Sequence, residues 1–115
     1  VIKGIGIDIC QISRMKVDMN CRILSDKENI IYQNIKLEKR KIEFLAGRFA
    51  AKEAIYKALS GIKSKILMRD LTIIYDDFGR PYLDQPKWED IHVHLSISHE
   101  KDYAIAQALA EAIEK

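Results

Sequence analysis

Asp8 and Glu53 are the side chains on which chemistry could centre, and Lys57 stands four residues beyond the second of them. The stretch RFAAKEAIYKAL, Arg48 to Leu59, is a helix by propensity, and in a helix Glu53 and Lys57 share one side a turn apart. Gly47, Ala50, Ala51, Ala54 and Ala58 recur along the same helix at spacings of three, four and seven residues. They form a stripe of small residues that another backbone can approach closely. The opening VIKGIGIDICQI alternates with the period of a strand, with Ile5, Ile7 and Ile9 on one face and Gly4, Gly6 and Asp8 on the other. If the nearly bare glycine face meets the small-residue stripe, Asp8 stands at the level of Glu53. Two carboxylates ~4 Å apart repel by ~1 kcal/mol in water and ~4 kcal/mol at the effective dielectric of a protein surface. Such a pair needs a proton or a cation. Magnesium suits it, being a hard ion typically held by one or two carboxylates together with the phosphates of a substrate. Lys57 would then face the same phosphates. The plainer alternative is a Glu53–Lys57 salt bridge on a solvated helix, with Asp8 at a strand end.

The elements that must position these residues can be read along the chain. A long helix is expected from about Leu37 to Leu59. Ahead of it, Ser25 followed by Glu28 has the spacing of a capping box and starts a short helix through Ile30 and Ile31. DLTIIYDDFGRPYL reads as two short strands around a turn at Asp76 to Arg80, where Gly79 can take positive φ and Pro81 fixes the exit. IHVHLSISHE alternates, with Ile91, Val93, Leu95 and Ile97 facing one way and His92, His94, Ser96 and Ser98 the other. In YAIAQALAEAI the alanines favour a helix, while alternation through Tyr103, Ile105, Gln107 and Leu109 suits a strand. Periodicity alone leaves both open.

Composition narrows the class. A chain of 115 residues buries roughly two thirds of the surface its unfolded form exposes, enough for one core. With no repeat, low-complexity tract or linker, residues 1–115 are expected to form a single domain. Lys and Arg outnumber Asp and Glu by 19 to 17, a net charge of +2, too small an excess to indicate nucleic acid. Cys10 and Cys21 have no histidine at zinc-ligand spacing and make no disulfide framework, so free thiols are expected. Lys3, Gly4 and Asp8 interrupt the first apolar residues, and no apolar run approaches the ~20 residues of a membrane span. A soluble, cytoplasmic protein is the expectation.

GIGIDICQISRM and FLAGRFAAKEAIYKAL resemble the two signature blocks of the holo-[acyl-carrier-protein] synthases, the small bacterial type of 4′-phosphopantetheinyl transferase. LSISHEKDYAIAQA resembles that family's final hairpin, and ILSDKE and FGRPYL follow its order, so the likeness spans nearly the whole chain. The resemblance implies an α+β domain in which an antiparallel sheet packs against a long central helix, with YAIAQALA as a strand. It implies a magnesium-dependent enzyme that moves the phosphopantetheine arm of coenzyme A onto a serine of apo acyl carrier protein and releases 3′,5′-ADP. In the family's pattern Asp8 and Glu53 are the metal ligands and Lys57 contacts phosphate. Deprotonation of the serine falls to Glu53 or to a water on the metal. Lys39, Arg40, Arg48, Ser98 and His99 match positions that hold the coenzyme's phosphates, and Gly79, Arg80 and Pro81 the loop near its adenine. The acidic carrier protein docks on a basic, partly apolar helix after the first block, here containing Arg14, Met15, Lys16 and Arg22. The family's homotrimer would put active sites between subunits.

Three departures from the family's pattern stand out. Gln11 replaces a usual glutamate, KALSGI is shorter than the usual turn after the central helix, and the chain is several residues short between Arg14 and that helix. For Lys36, Lys39, Arg40 and Lys41 the plain alternative is a solvated helix face, since Glu38 and Glu43 are interleaved with them. His92 and His94 read as ordinary strand residues, and Tyr56 and Tyr103 as packing. Two rival classes are a non-catalytic coenzyme A- or nucleotide-binding protein and a small RNA-binding module. The second lacks stacking aromatics interleaved with basic residues on its strands.

Overall fold

Along the chain come β1 (Ile2–Gln11), α1 (Asn20–Ile23), α2 (Asp26–Gln33), α3 (Glu38–Ala58), β2 (Ile73–Tyr75), β3 (Pro81–Leu83), β4 (Ile91–His99) and β5 (Tyr103–Ala112). These come from a computed structural model that describes residues 1–84 and 88–114. The main sheet is antiparallel with strand order β1-β5-β4, and α3 lies across it. The architecture is α+β, a sheet packed on a long central helix.

Sheet and helix meet through backbone. Gly4, Gly6, Asp8 and Cys10 pair with Ala110, Ala108, Ala106 and Ala104, so the face toward α3 carries almost no side-chain bulk. A Cβ on Gly4 would lie 1.9 Å from the carbonyl oxygen of Ala58, and one on Gly6 would lie 2.0 Å from that of Ala54. Only glycine allows this approach. Ala50, Ala51, Ala54 and Ala58 of α3 are buried in the contact, which is the meeting of stripe and glycine face that the spacing predicts. The segment left open between helix and strand is a strand: its alanines line the buried face rather than a helix.

The opposite face of the sheet is uncovered within one chain, and along β1 it is apolar. Ile5, Ile7 and Ile9 are 60, 57 and 60 % exposed, and Ile9 lies opposite Ile105 of β5. Tyr103, expected to pack, is exposed here too, whereas Tyr56 packs against the core.

A second core of Ile23, Leu24, Tyr32 and Leu45 joins α1 and α2 to α3. The capping box forms as the spacing predicts: Glu28 N–H donates to Ser25 Oγ at 3.3 Å, and Ser25 N–H donates to Glu28 Oε1 at 2.9 Å. The expected hairpin pairs β2 with β3. In its turn Asp76 Oδ1 accepts from Phe78 N–H and Arg80 N–H, both at 2.9 Å, and Gly79 takes φ of +79°. The segment from Ile12 to Ile23 is not the single docking helix expected to carry Arg14, Met15, Lys16 and Arg22. It forms 3-10 turns at Ile12–Arg14 and Val17–Met19 and then the single turn of α1. Among the described residues no helix is long and apolar enough to cross a membrane, and both cysteines are free thiols.

Candidate active site

The backbone contact of β1 with α3 brings Asp8, Glu53 and Lys57 together. Lys57 Nζ donates to Asp8 Oδ1 at 3.2 Å and to the Ile7 carbonyl oxygen at 2.8 Å, so its ammonium is bound to the strand. Burial first, and the Asp8 carboxylate second, push the Glu53 carboxyl above its ordinary range, while Lys57 pulls the other way. One ammonium thus serves two carboxylates, leaving negative charge in excess. Among the described residues no three Asp, Glu, His or Cys side chains converge on one point. Two carboxylates suit an ion that takes oxygen donors and leaves much of its shell to water and substrate, as magnesium does.

A second charged cluster lies on the next face of α3. Lys52 and Glu28 are both fully buried, with 0 % of their side chains exposed. Lys52 Nζ donates to Glu28 Oε1 at 2.5 Å, to the Ile23 carbonyl oxygen at 2.6 Å and to the Met68 carbonyl oxygen at 3.0 Å, which uses all three ammonium hydrogens. Glu28 Oε2 accepts from the Ile73 amide at 3.0 Å and lies 3.5 Å from Arg48 Nε. Arg48 donates from Nη2 to the Ile73 carbonyl oxygen at 3.1 Å and stacks over Phe44 and Tyr75. Burial pulls the pKa values of Lys52 and Arg48 down, and Glu28 pulls them back up. The sequence does not show this cluster, because Lys52 and Glu28 meet only through the fold.

The remaining candidate residues divide among several clefts. Arg40, Arg48 and His99 line one of about 300 Å³ with Phe44, Tyr75 and Glu43. Lys39 faces another, beside Gln11, Glu38 and Lys101. Gly79, Arg80 and Pro81 line a third of about 500 Å³ with His92, His94 and Ser96. Ser98 is an exposed residue of β4 next to His99. Arg14, Met15 and Arg22 border an apolar cleft of about 350 Å³ floored by Phe49, Met19 and Met68. Lys16 is exposed beside it. His94 pairs with Glu111 at 2.9 Å on the sheet surface.

Residues 4–108 match the family described as the 4′-phosphopantetheinyl transferase superfamily. Holo-[acyl-carrier-protein] synthase of Anoxybacillus flavithermus is 45 % identical over 120 residues, covering 98 % of each chain. That of Bacillus pumilus is 43 % identical over 120 residues, again covering 98 % of each. A Bacillus anthracis synthase crystallised in complex with CoA (3′,5′-ADP) superposes with a TM-score of 0.84 at 40 % identity, covering 97 % of this chain and 98 % of that one. These relatives are enzymes, which sets aside the non-catalytic and RNA-binding readings. Motifs and fold agree with the comparisons: the chain belongs to the 4′-phosphopantetheinyl transferase superfamily, among its holo-[acyl-carrier-protein] synthases.

Proposed function

We propose that this enzyme transfers the 4′-phosphopantetheine arm of coenzyme A to a serine of apo acyl carrier protein, releasing 3′,5′-ADP. Magnesium would be required, and the product would serve fatty acid biosynthesis in the cytoplasm. The observation that carries the reading is the convergence of Asp8 and Glu53 beside Lys57, in a chain whose relatives carry out this chemistry.

Asp8 and Glu53 would hold the magnesium ion through their carboxylate oxygens; when bound, it neutralises charge that builds on the phosphoryl oxygens during transfer. Lys57 supplies an ammonium to the same phosphates. The serine oxygen attacks the β-phosphorus of the coenzyme, the bond from that phosphorus to the bridging oxygen breaks, and 3′,5′-ADP leaves. The serine proton goes to Glu53 or to a water at the same site.

Arg40, Arg48 and His99 support an anion-binding role for their cleft. Two buried cations, Arg48 and Lys52, share the one carboxylate of Glu28, which leaves positive charge in excess there. Lys39 and Ser98 are assigned to the coenzyme's phosphates, and Gly79, Arg80 and Pro81 to its adenine. Arg14, Met15, Lys16 and Arg22 form a basic rim on an apolar cleft, which suits an acidic carrier protein. The α-helical rise puts Arg40 roughly 20 Å and Arg48 roughly 8 Å along α3 from Glu53, so the far end of the phosphate cleft is remote from the same chain's carboxylate pair. The uncovered isoleucine face supplies a surface for self-association. Both features favour a homotrimer in which each active site draws on two subunits.

Intact-mass spectrometry of apo carrier protein after incubation with enzyme, magnesium and coenzyme A is the test. The expected result is a product heavier by one phosphopantetheine arm, lost on chelation and reduced at least about 1,000-fold by Asp8→Ala or Glu53→Ala. No conversion across several carrier proteins would contradict the reading.

A further inference from the structure

Glu28 and Lys52 take no part in the proposed chemistry, yet they sit where three working segments meet. Lys52 Nζ holds the Ile23 carbonyl at the end of the 12–23 segment, whose Arg14, Met15 and Arg22 border the apolar cleft. It also holds the Met68 carbonyl, which leads into β2. Glu28 takes the amides of Ser25 and Ile73, the second being the first residue of the hairpin that carries Gly79 to Pro81. Lys52 is itself the residue before Glu53 on α3.

We infer that Glu28 and Lys52 are positioning residues that lock the carrier-docking segment, the hairpin and the Glu53 helix in one register. The inference rests on the transferase reading above. Its physical basis is that a buried carboxylate and ammonium with every partner in place have no alternative arrangement of similar energy. Sliding one segment past another would strand a charge away from water. Reaction between an acceptor held by one segment and a donor held by others depends on that register, and a misplacement of about 1 Å costs roughly 100-fold in rate.

The test compares the wild-type enzyme with Glu28→Gln/Lys52→Met. The double variant removes both charges, keeps side-chain size and retains a glutamine competent for the capping box. Lys52→Met alone, in which Arg48 still faces Glu28, is the second variant should the first fail to fold. Circular dichroism establishes folding, and assays run well below the melting temperature. The expectation is a kcat roughly 100-fold lower with both substrates saturating, and a smaller loss, about tenfold at most, in affinity for coenzyme A through the hairpin and Arg48. A folded variant that melts lower but keeps kcat within about threefold overturns the positioning role and leaves the transferase reading intact. An inactive wild-type enzyme overturns both.

Discussion

Lys52 and Glu53 are neighbours in sequence and occupy opposite electrostatic settings. On one side of α3, two cations, Lys52 and Arg48, share the single carboxylate of Glu28, and Lys52 and Glu28 make hydrogen bonds to four backbone groups. On the other, two carboxylates, Asp8 and Glu53, share the single ammonium of Lys57. In the first cluster Lys52 and Glu28 are fully buried and hydrogen-bonded to segments far apart in the chain. The second has surplus negative charge and partial exposure, and it is left able to take a cation. The contrast shows how a short helix stretch can build two clusters of opposite charge balance a residue apart: what separates them is the ratio of charges, not the types of residue.

The comparison can be broken from the Lys52–Glu28 side first. Glu28→Leu leaves Lys52 and Arg48 buried without their carboxylate, and about 3–5 kcal/mol of stability should be lost, read by urea denaturation. A loss below about 1 kcal/mol would mean that water reaches the cluster. The next effect comes from Gly6→Ala, whose Cβ would meet the Ala54 carbonyl oxygen at 2.0 Å. β1 must then move off α3, at about 1–3 kcal/mol in stability. Activity should fall further than Glu28→Leu makes it fall for an equal loss of stability, because Asp8 moves away from Glu53.

The smallest effect sharpens the reactive side. Without divalent metal, Glu53→Gln should stabilise the fold slightly, by roughly 0.5 kcal/mol at neutral pH, since it removes a partly buried charge facing Asp8. The sign follows from linkage. Glu53 holds its proton to higher pH in the folded state than the unfolded value of 4.5, so ionisation above that value favours unfolding. The advantage of Glu53→Gln over wild type, followed by melting temperature, should therefore be absent in acid and grow as pH rises through the raised pKa.

Much of this was legible because it is local or complementary. Ser25 and Glu28 gave the start of α2, Asp76, Gly79 and Pro81 gave the hairpin turn, and the glycines of β1 matched the alanines of α3. The second role of Glu28 was hidden for a physical reason: its partner Lys52 lies 24 residues away, and the capping box already accounted for its spacing. Alternation separated the isoleucine from the glycine face of β1 but did not say that the apolar face would be the uncovered one. Nor could the sequence show that Lys57 bonds Asp8 and the Ile7 carbonyl, because that contact depends on how strand and helix cross.

The central claim is that Asp8 and Glu53 jointly hold one divalent ion. Electron paramagnetic resonance of manganese, titrated with the enzyme in the presence of 3′,5′-ADP, measures this directly. The account predicts one tightly held ion per chain in the wild-type enzyme and its loss in both Asp8→Asn and Glu53→Gln. Undiminished manganese binding by either variant would contradict it.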